Sequence, residues 1–117
     1  MGEYTVQTID KDGLNPTYAA VSSSDTFNNP TDQRRLLHVK NGGGGSINVT
    51  IVAQDTSINV PGAGVQTISN IVTAVPAGED RMFGPFPEAY VDSAGDVTVQ
   101  YSGTTSVTAG VFDLDKE

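Results

Sequence analysis

Few side chains in this chain of 117 residues can do acid–base or nucleophilic chemistry. It carries one histidine, His38, and no cysteine, so thiolate nucleophiles, disulfides and thiolate metal sites are excluded. A histidine base needs a partner that orients it and a substrate proton within reach. His38 lies in Leu36-Leu37-His38-Val39-Lys40-Asn41, where alternation places it on the face opposite Leu37 and Val39. It is read as a solvated or structural strand residue. Ser22-Ser23-Ser24 sits in a polar stretch without the strand–turn–helix setting of a nucleophile elbow. The sequence therefore assigns no catalytic residue, no cofactor and no metal ligand, and a non-enzyme is expected.

Three further patterns resemble sites and are read as turns or connections. Asp10-x-Asp12-Gly13-x-Asn15 places oxygens on a tight turn, as a calcium loop does, but lacks the full loop and its terminal glutamate; it is read as an Asx-turn. Asp92-x-x-Gly95-Asp96 is read as the turn entering the last strand pair. The run Gly42 to Gly45 lacks the Lys-Ser/Thr of a phosphate loop and is read as a hairpin connection.

The elements that would hold these residues are strands. Ile47, Val49 and Ile51 alternate with Ser46, Asn48 and Thr50, the period-two pattern of a sheet with one apolar face. Arg35–Lys40 and Ser46–Ala53 are expected to pair across the glycines, and Val97, Val99, Tyr101 and Val107, Ala109, Val111 to form a second hairpin. Short strands are also expected within Tyr4–Ile9, Thr17–Val21 and Ile68–Val75. Ser22–Asp32 and Asp55–Gly64 read as loops. Two prolines confine Arg81–Pro87 to an edge or a loop. About eight short segments without an amphipathic helical window define an all-β, single-domain antiparallel β-sandwich, jelly-roll or immunoglobulin-like, over residues 1–117, with a flexible acidic tail at 113–117.

Composition narrows the partners. The formal charge of −8 and the scarcity of basic residues disfavour nucleic-acid binding. No apolar run is long enough for a helical membrane span, and Met1-Gly2-Glu3-Tyr4-Thr5 has neither the basic start nor the apolar stretch of a signal peptide. A soluble protein made in the cytoplasm is the reading. Its apolar fraction of 37% makes a thin core that would lean on a partner surface.

Interface candidates follow from exposed-edge chemistry. Phe83-Gly84-Pro85-Phe86-Pro87-Glu88-Ala89-Tyr90 gathers rigid aromatics beside prolines, a combination suited to a protein interface and equally to plugging the end of a sandwich. Phe83, Pro85, Phe86, Pro87 and Tyr90, with Phe27, Arg34 and Arg35 from the Ser22–Arg35 stretch, are the candidate contact residues. The two arginines can pair with a partner or with the chain's own carboxylates.

Taken together, Thr26-Phe27-Asn28-Asn29, Leu36 to Gly42, Ile47 to Ile51, Val75-Pro76-Ala77-Gly78, Phe83-Gly84-Pro85-Phe86-Pro87 and Gly95 to Ser102 resemble small capsid-decoration proteins of tailed bacteriophages. The resemblance spans about Gly13 to Leu114 and rests on packing and turn motifs. It implies a non-enzymatic cement protein on the outer face of the phage head, bound to the major capsid protein, often as a homotrimer at threefold sites, and located on the virion. A carbohydrate- or receptor-binding module on the virion and a head–tail joining protein are the alternative readings.

Overall fold

From Ala19 to Ile51 and again from Ile71 to Leu114, successive strands of this chain change sheet rather than pair with one another. The computed structural model describes residues 2–29, 35–54 and 57–114. Its strands are β1 (Gly2–Glu3), β2 (Val6–Ile9), β3 (Ala19–Ala20), β4 (Ser24–Asn28), β5 (Leu36–Asn41), β6 (Ile47–Ile51), β7 (Ser57–Val60), β8 (Gly64–Thr67), β9 (Ile71–Val75), β10 (Asp80–Phe83), β11 (Asp96–Tyr101) and β12 (Val107–Leu114), with a 3₁₀ turn at Glu88–Tyr90.

One sheet runs β1-β4-β11-β6-β9 and the other β10-β5-β12-β2, with β3 also against β12. The antiparallel pairs β3/β12, β4/β11, β5/β10 and β6/β9 are nested in sequence. The pairs β5/β12 and β6/β11 then lock the nested halves together. A long hairpin of nested pairs rolled so that its strands alternate between two sheets is the jelly roll. Of the two sandwich topologies expected, the jelly roll is therefore the one adopted. Strands β1 and β2 add parallel neighbours to β4 and β12, so the sheets are mixed rather than wholly antiparallel. Strands β7 and β8 form a separate hairpin inserted between β6 and β9.

Alternation produces the core as the sequence indicates. Leu37 and Val39 of β5, Ile47, Val49 and Ile51 of β6, Val97, Val99 and Tyr101 of β11, and Val107, Ala109 and Val111 of β12 all point between the sheets and are buried. Which strands pair is a different matter. The segments flanking the four glycines are not a hairpin, since β5 and β6 lie in opposite sheets. The same holds for β11 and β12. Side-chain alternation records which face is buried and is identical whether the next strand is a hairpin partner or lies across the core.

The stretch Ser22–Asp32 is not a plain loop, because β4 runs through it. Its sequence, Ser24-Asp25-Thr26-Phe27-Asn28, hides its strand character by turning a carboxylate inward: Asp25 is 2% exposed. Its Oδ1 accepts from the Gly2 amide (2.9 Å), and its Oδ2 from the Tyr4 hydroxyl (2.7 Å) and the Ser22 amide (3.0 Å). A buried carboxylate is tolerated where donors converge on it. Asp55–Gly64, expected to be a loop, contains β7, and Pro61-Gly62 lies in the turn to β8. At the other end Asp113 and Leu114 belong to β12, opposite Thr8 and Ile9, so strand replaces the first part of the expected tail; residues 115–117 lie outside the described residues.

Candidate functional site

The proposed contact residues divide into core and surface. Phe27 and Phe86 are 0% and 2% exposed, with ring centroids 5.2 Å apart at 62°, the tilted geometry that aromatic quadrupoles favour. They are core residues and offer a partner nothing, so their place among interface residues is corrected. The aromatic-and-proline signal is shared by an interface and a plug, and here the plug accounts for Phe86. Phe83 and Tyr90 are half-buried against the same core, and the Tyr90 hydroxyl donates to the Ser69 carbonyl at 2.9 Å. Pro85 and Pro87 are exposed. Arg35 turns to its own chain, with Nε 3.6 Å from Asp113 Oδ2 and Nη1 donating to the Asn28 carbonyl. Arg34 lies outside the described residues.

Apolar side chains also stand exposed on two strands that the sequence does not mark as contact surfaces. Val72 on β9 and Val65 on β8 are 59% and 68% exposed, and Ile71 is 38% exposed. Strand β9 is the edge of its sheet. Among the described residues it pairs with β6 alone, apart from the Val75 carbonyl, which accepts from Asn41 Nδ2 at 2.9 Å.

A third feature lies on the outer face of the other sheet. The Asx-turn expected at Asp10–Gly13 forms, with the Asp12 amide donating to Asp10 Oδ1 (3.0 Å) and the Gly13 amide to the Asp10 carbonyl (3.1 Å). The chain beyond it lies over the sheet, anchored where the Gln7 side chain bonds Thr17 from both ends (2.8 and 2.9 Å). Ile9, Leu14, Pro16, Tyr18, Leu36, His38, Met82 and Phe112 surround a cleft of about 220 Å³. Phe112 alternates outward from the core yet is only 4% exposed, because Tyr18 covers it, with ring centroids 5.8 Å apart.

Two of the cleft residues, Tyr18 and His38, belong to a chain of three polar groups. The Tyr18 hydroxyl is 2.8 Å from His38 Nδ1, and His38 Nε2 is 2.6 Å from Asp80 Oδ2. The hydrogen bond from His38 holds the Asp80 carboxyl below its ordinary value, with Lys40 and Arg81 adding to the effect. An ionised Asp80 fixes the proton of a neutral His38 ring on Nε2, leaving Nδ1 to accept from the tyrosine. Burial pushes the Tyr18 phenol up, and the Asp80 charge adds to this. Lys40 Nζ sits 4.0 Å above the Tyr18 ring centroid, a cation–π contact.

His38 thus has the two partners that its local sequence does not reveal. Tyr18 and Asp80 are 20 and 42 residues away; Asp80 meets it because β10 pairs with β5 in the register Met82 opposite His38, and Tyr18 because β3, which follows it directly, pairs with β12 beside β5. Among the described residues no group of three or more histidine or acidic side chains is placed to hold a metal ion. No protein-family model, curated protein or solved structure matches the chain.

Proposed function

We propose that this protein is a non-enzymatic virion structural protein that binds the outer surface of a tailed-bacteriophage capsid and stabilises it, a decoration or cement protein. The observation that carries the reading is the bare edge at β9. Ile71-Val72-Thr73-Ala74-Val75 has no charge and no proline, the devices that normally protect an edge from pairing. Its side chains are partly exposed beside open backbone groups, the requirement for adding a strand or loop of a neighbouring protein. On a chain of net charge −8 an uncharged strand is also where another acidic surface approaches with least repulsion. The resemblance to decoration proteins supports the same reading.

In this reading the major capsid protein is the partner and the protein acts as a homo-oligomer, with a trimer favoured. A sugar-binding module ranks second because it needs an open aromatic platform, whereas Lys40 lies over the Tyr18 ring and Tyr90 is tied to Ser69. Cosedimentation with expanded, undecorated phage capsids tests the proposal. Saturable binding is expected for the wild-type chain and at least ~10-fold weaker binding for Val72→Lys, since a charge at a desolvated contact costs over a kcal/mol. Absence of saturable wild-type binding, or unchanged binding by a folded Val72→Lys protein, overturns it.

A further inference from the structure

We propose that the cleft between Leu14, Leu36, Met82 and Phe112 is a binding site for a small neutral monocyclic aromatic molecule bearing one hydroxyl group, which the Tyr18–His38–Asp80 chain orients. Size sets the ligand class. A dry apolar cavity of about 150 Å³ accepts benzene, so a cleft of about 220 Å³ accommodates one substituted ring and lies below the range of drug-sized sites. The walls are suited to a ring: Leu36 and Phe112 come from neighbouring strands, Leu14 and Pro16 form the overlying segment, and Met82, 64% exposed, forms an adaptable thioether lip.

The polar chain supplies orientation. Both ring nitrogens of His38 are engaged, Nε2 by Asp80 and Nδ1 by Tyr18. With the imidazole neutral, the Tyr18 proton is committed to Nδ1, and the phenol oxygen retains only acceptor capacity. A ligand must then donate, which a hydroxyl does and a methyl ether does not. The titratable and charged groups around His38 on this face are Tyr18 from the overlying segment, Lys40 on β5 and Asp80 on β10; β12 presents Thr108, Gly110 and Phe112 on the same side.

Methyl-resolved NMR with p-cresol, toluene and 4-methylanisole tests the site. The methyl signals of Leu14, Leu36 and Met82 are expected to shift saturably with p-cresol, with a Kd in the millimolar range for so few atoms, about 5-fold tighter than toluene or 4-methylanisole. The gap is expected to close in Tyr18→Phe. Should Tyr18→Phe not fold, Leu14→Trp, which fills the cleft from the overlying segment, is expected to abolish all three titrations. No saturable shift, equal affinity for p-cresol and toluene, or shifts centred on Val65 and Val72 instead would overturn the proposal.

Discussion

Tyr4 and Tyr101 meet hydroxyl to hydroxyl at 2.7 Å across 97 residues of sequence. The Tyr4 proton goes to Asp25 Oδ2, so Tyr101 donates to the Tyr4 oxygen, and a strand at the edge of the first sheet is joined to its centre through buried polar atoms. Burial pushes both phenols above their ordinary value, and for Tyr4 the neighbouring Tyr101 and Asp25 push the same way.

The first prediction follows from that shift. The folded pKa values lie above the unfolded value of 10.0, so the stabilisation is fully present below pH 10 and is lost as pH rises towards the folded values. Absorbance at 295 nm is expected to leave Tyr4 and Tyr101 un-ionised through the normal phenol range, then to jump with alkaline unfolding. Smooth titration of all four tyrosines near pH 10 would contradict the buried pair.

Asp25 is the keystone of the same group. Replacing it with alanine leaves the Gly2 amide, the Tyr4 hydroxyl and the Ser22 amide without their acceptor, and hydrogen bonds to a charged group are worth about 1.5–3 kcal/mol each. Urea unfolding of Asp25→Ala is expected to show a loss of at least ~3 kcal/mol. A loss under ~1 kcal/mol would mean that water replaces the carboxylate freely.

Phe86 separates a plug from a contact residue. Phe86→Ala is expected to cost about 3–5 kcal/mol of stability, as for other buried phenylalanines, and Phe27→Ala a similar amount, whereas Pro87→Ala is expected to change stability little. Denaturant midpoints of the three variants decide this.

The His38–Asp80 pair predicts an acid-dependent contribution. The native Asp80 carboxyl lies below its ordinary 3.8, so its stabilisation is complete above that value and is lost as pH falls through the native one. Melting temperature against pH is expected to fall more steeply below pH 4 for wild type than for Asp80→Asn. The effect is small because the pair is partly in water.

Much of the architecture was legible from side-chain type. Val49, Val99 and Val111 announce a buried face by alternation alone, and Arg81–Pro87 announces an edge through its prolines. Two things were not legible. Strand pairing was missed because Leu36–Asn41 and Ile47–Ile51 carry the same pattern whether they touch or face each other across a core. Strand β4 was missed because its inward residue Asp25 is polar, and its burial depends on Gly2 and Tyr4, more than 20 residues away. The Tyr18–His38–Asp80 chain failed for the same reason: its partners are brought together by inter-strand register, which no local window contains. Exposed Val72 gave no signal, since an apolar alternation does not state whether a neighbour covers it.

The architecture also constrains synthesis. Strand β12 lies between β5 on one side and β2 with β3 on the other, so a ribosome that has made residues 1–106 has made a sheet lacking its middle. Leu37 and Val39 then have no strand to cover them on that side, and the β5 edge is open to any neighbouring nascent chain on the same message. That sheet closes only when Val107–Leu114 inserts between β5 and β2.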